Sequence, residues 1–259
     1  MLRSLFVFLA LISISPAATG RADETKPRLV MLIAEREYDT EVTLPRFAED
    51  TLSDQYAVSI VGPAEDDRNA FDGIEKVQQA DVLLVSVRRR TLPAEQLAIL
   101  RQYVASGKPV IGIRTANHAF SVRNQSVPED RAVWPKWDQE VFGGNYTNHH
   151  GRELTTTIRR YHSGSTPAGL LAGIPDDQTW TTQGSLYKVS PLATGATVLL
   201  RGSVPGQPSE PVAWTFQRAD GGASFYTSLG HRDDFDGSLL PQLLANAIAW
   251  SLTASNPRD

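Results

Sequence analysis

The chain has 259 residues, a formal net charge of −4 and no cysteine. The missing thiols exclude disulfides, thiolate metal ligands and a cysteine nucleophile together. The mildly acidic balance provides no general attraction to nucleic acid or anionic lipid, and the one basic run, Arg88-Arg89-Arg90, is too short to reverse that.

Arg3 followed by the apolar run Leu5 to Ile14 and the small residues Ser15 to Ala18 reads as a secretory leader over residues 1–22, cut after Ala18 or Ala22. The run is shorter than the roughly 20 residues of a membrane span, and an uncleaved N-terminal anchor is the alternative. Such a leader implies an exported protein, periplasmic or secreted, with no membrane attachment once the leader is removed. The remainder, 28–253, is long enough for one large domain.

Arg28 to Ala34, RLVMLIA, is a continuous apolar run that suits a buried parallel strand. Glu41 to Leu52 has helical spacing, with Thr40 as N-cap. Tyr56 to Val61 and Asp81 to Val87 read as strands, and Pro93 to Ala105 as a helix opened by proline and closed before Gly107. Pro109 to Ile113 is a fourth buried strand. Strands and helices alternating at this spacing imply right-handed crossovers and a parallel sheet covered on both faces, with Arg28 to Ala34 inside it. Ser121 to Pro135 reads as a surface loop over the turn after the fourth strand.

From about Gly143 shorter, threonine-rich strands follow at Glu153 to Arg159, Thr179 to Thr182, Tyr187 to Val189 and Thr197 to Arg201. Pro211 to Asp236 reads as a hairpin turning at Gly221-Gly222, with its second strand ending at Leu229-Gly230 and a loop carrying His231, Asp233 and Asp234. Leu239 to Leu252 is a closing helix. The fold class is therefore α/β, flavodoxin-like in its first half and strand-rich in its second.

Three motifs in this order, GKPVIGIRTANHAF (Gly107 to Phe120), GGNYTNHH (Gly143 to His150) and PVAW followed by SFYTSLGH and AIAW, resemble the trehalose-utilisation (ThuA-like) family over roughly Arg28 to Leu252. The resemblance implies a class I glutamine amidotransferase-like fold, whose strand-to-helix elbow carries a cysteine nucleophile, and a role in carbohydrate catabolism. Here Arg114 stands at the elbow. Arginine stays protonated and is neither nucleophile nor base at neutral pH, so amidotransferase chemistry is excluded. Gly184-Ser185-Leu186-Tyr187 keeps the family's tyrosine and lacks the acids that precede it.

Parallel strands end on one edge of the sheet, where open α/β folds keep their chemistry. That edge is expected to gather Glu35, Arg114, His118 and His231 as catalytic groups. Glu35 or His118 would move protons, and Arg114 would hold an anionic or hydroxyl-rich ligand or else pair internally with Glu35. Tyr38, Arg88, Arg89, His149, His150, Tyr187 and Asp234 are the expected substrate contacts, with Arg90 assigned to a solvated rim. His149 or His150, with His231 and Asp233 or Asp234, could hold a divalent metal only if the fold gathers them, and the family resemblance keeps such a metal open; His162 lies nearby in sequence. No other cofactor is expected, because no GxGxxG follows the first strand. The expected partner is a small-molecule sugar, a disaccharide or keto-sugar, acted on in a hydrolase-like reaction. A non-catalytic carbohydrate-binding protein is the alternative, and a homo-oligomer stays open.

Overall fold

Alternation along the first strand decides the layering. In β1 (Arg28–Ala34) the side chains of Leu29, Met31 and Ile33 enter one apolar core, while Val30, Leu32 and Ala34 enter another on the opposite face, as a period of two requires for a strand buried on both sides. A computed structural model of the chain describes residues 26–162 and 166–254; the leader expected over residues 1–22 lies outside them.

β1 is followed by α1 (Thr40–Phe47), β2 (Ala57–Val61), α2 (Lys76–Gln79), β3 (Val82–Val87), the two-residue β4 (Leu92–Pro93), α3 (Ala94–Ala105) and β5 (Val110–Ile113). The second half carries β6 (Arg131–Ala132), β7 (Asn148–His149), β8 (Thr156–Arg160), β9 (Trp180–Thr182), β10 (Tyr187–Lys188), β11 (Ala196–Ser203), β12 (Glu210–Gln217), β13 (Ala223–Thr227) and α4 (Leu239–Ala254). Nine strands form one mixed sheet in the order β2-β1-β3-β5-β13-β12-β11-β8-β9. The first five run parallel and the rest pair antiparallel. β1 is thus interior, as its unbroken apolar run predicts. α1 and α4 cover one face, and α3 covers the other through Leu97, Leu100 and Val104.

Two local expectations differ. The helix expected over Glu41 to Leu52 contains Pro45 and runs as α1 followed by a π-helical turn, Ala48–Leu52. Proline has no N–H to give the ladder, and a wider turn follows it. Thr40 is also not the N-cap. Asp39 takes that position with φ 56° and no side-chain cap bond. Thr40 instead shares its hydroxyl with Ser86 at 2.7 Å and with Glu35 at 3.3 Å.

The hairpin of β12 and β13 is fastened to the rest of the fold by Arg218, whose side chain is wholly buried. It pairs with Asp220 at 3.0 Å and donates to the carbonyls of Val104 and Lys108 at the end of α3 and beyond it. β13 can therefore sit beside β5 although 110 residues separate Lys108 from Arg218 in the chain.

Candidate functional site

β1, β3, β5 and β13 end on one edge of the sheet, and the turn after β5 is its centre. Arg114 opens a short 3-10 turn, Arg114–His118, with φ 50°, a left-handed conformation that costs a non-glycine residue about 1 kcal/mol or more. Tyr226 in β13 pins it by donating its hydroxyl to the Arg114 carbonyl at 2.5 Å. Gly230 lies against it, and a Cβ there would stand 2.9 Å from Ile113 and 3.1 Å from the Arg114 Cβ.

The guanidinium of Arg114 is 1% exposed and held between the rings of Tyr38 and Tyr187, at 4.5 and 4.4 Å. Nη1 donates to the carbonyls of Ser185 and Ser228 at 3.2 and 2.6 Å, and Nη2 to the Ser185 hydroxyl at 3.3 Å. Gly184 leaves the room, since a Cβ there would be 3.0 Å from Nη1. This corrects both readings of Arg114. It neither opens to a ligand nor pairs with Glu35; it ties four chain segments together.

A cavity of about 250 Å³ lies beside this stack. Asn117 and His118 of the elbow form one wall and Arg89 of the loop after β3 another. Ser121, Arg123 and Trp134 come from the covering loop, Asp138 from the π-helical turn Asp138–Phe142, and Tyr146 to Asn148 from the segment after Gly143-Gly144. His118 Nδ1 is 2.6 Å from Asn117 Oδ1. With the amide oxygen turned to the ring, Nδ1 carries the hydrogen and Nε2 keeps its lone pair. The ring stacks on Tyr146, centroids 4.8 Å apart. Burial, then the positive charges of Arg89, Arg88, Arg114 and Arg123, push its pKa well below the usual imidazole value, so it is neutral at pH 7.

Asp138 is 8% exposed and accepts the Tyr146 N–H at 2.8 Å, while its Oδ1 is buried with no partner. Burial raises its pKa from the ordinary 3.8 to about 7, against the lowering effect of the Tyr146 N–H. Sequence reasoning missed Asp138. Its one signal is the glycine pair six residues on: a Cβ on Gly144 would collide with the carboxylate.

Of the remaining expected site residues only Arg89 lines this cavity. Glu35 is fully buried and accepts the backbone N–H groups of Glu37 and Tyr38 at 2.5 and 3.1 Å, shaping the turn after β1; burial raises its pKa. Arg88 is on the rim, 2.7 Å from Glu37. Arg89 reaches the cavity because its backbone turns to φ 47°. Arg90 is not a rim residue. It is 5% exposed and donates to the carbonyls of Arg88 and Ala34 at 2.8 and 2.9 Å, joining the ends of β1 and β3.

His149 turns Nδ1 to the His150 carbonyl at 2.7 Å, and Tyr187 pairs with it across β10 and β7. His150 is buried with Nε2 unpartnered. His231 accepts from the Asp233 N–H, and Asp234 accepts the N–H groups of Gly230 and His231 at 2.9 and 3.0 Å in a reciprocal cap. His231 and Arg114 do share one edge, linked by Tyr38, whose ring is 6.0 Å from the imidazole. The single cleft expected to hold Glu35, Arg114, His118 and a second histidine is replaced by a cavity around His118 and a closed stack around Arg114. Among the described residues no group of three or more histidines and carboxylates could hold a metal ion. His162 is 3.8 Å from Asp176, its side chain exposed.

Arg114→Lys is expected to lower stability by about 2–4 kcal/mol, because an ammonium cannot stack on two rings while serving the Ser185 and Ser228 carbonyls; denaturant midpoints check this. Asp138→Asn should change the pH dependence of stability. The folded carboxyl binds its proton more tightly than the unfolded one, so the wild type loses stability as pH rises from about 4 to about 7 and is level above that. The variant should lack this slope, which amounts to at most ~4 kcal/mol; melting curves between pH 4 and 8 read it.

The family described as trehalose utilisation, ThuA, matches residues 28–251. No protein among curated sequences matches. A crystal structure of a ThuA-like protein from Bacteroides uniformis superposes with a TM-score of 0.62 at 16% identity, covering 92% of this chain and 95% of that one. A second, from Parabacteroides merdae, gives 0.58 at 13% identity, covering 90% and 92%. At these identities the two structures establish a common fold, and the sequence match over nearly the whole described length places this chain in the ThuA, trehalose-utilisation, family.

Proposed function

We propose that this chain, whose family membership supports a carbohydrate-related role, is an exported sugar-modifying enzyme, hydrolase-like, whose reaction takes place in the cavity beside His118. The observation that carries this reading is a neutral histidine and a carboxyl group with pKa near neutrality in the wall of one small cavity. In these forms the imidazole has a lone pair that can take a proton and the carboxyl has a proton to give, the two roles of general acid–base chemistry.

Size supports the choice of substrate. Ligand pockets usually span about 300–1,000 Å³, and about 250 Å³ suits one sugar ring. Of a disaccharide or keto-disaccharide, one ring would enter and the other would stay outside. Asn117, Thr147 and Asn148 offer hydrogen bonds to hydroxyls, and Trp134 and Tyr146 offer apolar faces to a ring.

In the hydrolysis, a water oxygen bonds to the anomeric carbon and its proton passes to His118 Nε2. The glycosidic C–O bond breaks, and Asp138 in its protonated form supplies a proton to the departing oxygen. Transfer of the first proton back through solvent restores both groups. Arg114 acts at one remove, by holding Tyr187, which lies 4.7 Å from Tyr146, ring centre to ring centre, and 6.4 Å from His118.

His118→Gln is expected to slow turnover of a disaccharide or keto-disaccharide by roughly 10²–10⁴-fold with an unchanged melting temperature. Turnover at the wild-type rate removes the imidazole from the reaction. A wild type that binds such sugars without converting any of them is a carbohydrate-binding protein instead. Export is checked by the N-terminus of the protein recovered from the periplasm or medium, expected to begin after Ala18 or Ala22; full-length chain confined to the cytoplasm refutes it.

A further inference from the structure

Four arginines on the loops of this sheet edge each have a carboxylate partner. Arg36 meets Glu41 at 3.3 Å, Arg88 and Arg152 share Glu37 at 2.7 and 2.9 Å, and Arg232 meets Asp39 at 3.0 Å. The two that line the cavity, Arg89 and Arg123, have none among the described residues. Arg89 is half-buried. Its guanidinium has one long contact, 3.4 Å to the Ser121 hydroxyl, and its backbone is held at φ 47° by an N–H bond to the His118 carbonyl.

A partly desolvated cation without a counter-charge is costly, and so is a left-handed arginine. Both costs fall on the residue that faces the cavity. Burial lowers the Arg89 pKa, and the like charges of Arg123 and Arg88 lower it further. The same cations act on His118, whereas burial leaves Asp138, the one carboxyl in the described wall, only about half ionised at pH 7. The cavity wall therefore carries net positive charge, which among the described lining residues Asp138 offsets only in part.

We propose that the cavity selects a sugar bearing a negative charge, a carboxylate or a phosphate, and seats that group between Arg89 and Arg123. This rests on the cavity being the sugar site. Arg89 provides the fixed end, set by its backbone. Arg123, exposed on the covering loop, provides the end that meets solvent, so part of the attraction is screened by salt. Hydroxyls of the ring are left to Asn117 and Asn148. A charge-assisted contact to a guanidinium is stronger than a neutral one and favours planar or tetrahedral oxyanions.

The test is calorimetric titration of the leaderless protein with methyl glucoside, glucuronate, glucose 6-phosphate, acetate and inorganic phosphate, at low and high salt. Expected is affinity roughly 10- to 100-fold higher for glucuronate or glucose 6-phosphate than for methyl glucoside. The better of the two identifies the charged group. The preference should collapse in Arg89→Gln and weaken in Arg123→Gln, whose exposed position keeps the fold out of question. If methyl glucoside binds as tightly as both charged sugars, the inference is overturned and the sugar site stands. Acetate or phosphate binding as tightly as the charged sugars would leave the anion site and remove the sugar. Binding of none of the five overturns both.

Discussion

A guanidinium closed between two tyrosine rings holds this sheet edge together. Among the described residues no carboxylate pairs with Arg114. Its charge is met by the π faces of Tyr38 and Tyr187 and by the carbonyls of Ser185 and Ser228. The partners come from three segments besides its own: the turn after β1, the stretch that leads into β10, and the residue that follows β13. The parallel half of the sheet is thereby connected to the strand-rich half at a residue held in the left-handed conformation. A cation held this way is worth more than a surface pair, since removing it strands polar groups that water cannot reach.

The neighbouring cavity inherits its properties from that closure. Tyr187 is fixed by Arg114 and packs against Tyr146, which covers one face of the His118 ring. Desolvation then works in opposite senses on two side chains. It disfavours the protonated imidazole and the ionised carboxyl alike, so His118 stays neutral and Asp138 keeps its proton to about pH 7. Burial is the largest cause at both, with the surrounding arginines adding to it at His118, and it sets a base and an acid in the wall of one cavity.

The layers could be read from the sequence because their signal is local. Apolar runs at Arg28 to Ala34 and Asp81 to Val87 need cover on both faces wherever they sit, and a glycine pair between aromatic strands makes a hairpin. The site was less readable, because direction is not a property of composition. Arg88, Arg89 and Arg90 are three equal letters, yet one pairs on the rim, one turns into the cavity and one is buried against Ala34. A positive φ at Arg89 makes the difference, and it arises from a bond to the His118 carbonyl across the edge. Glu35, placed right after β1, was read as chemistry and proved to be the acceptor that shapes its own turn. Asp138 was overlooked because its carboxyl is unusual only through burial, which depends on residues distant in the chain.

The elbow has one further consequence, for what position 114 can become. Its strained residue is scaffolding, and the histidine of the cavity lies four residues on. A cysteine set at position 114 would not make the elbow reactive. Its thiol would lie behind Tyr38 and Tyr187, in a compartment from which solvent is shut out, with an empty space where the guanidinium had been and two carbonyls left without donors. The packing is built around the larger side chain, so a substitution at this one position opens a void rather than a reactive site.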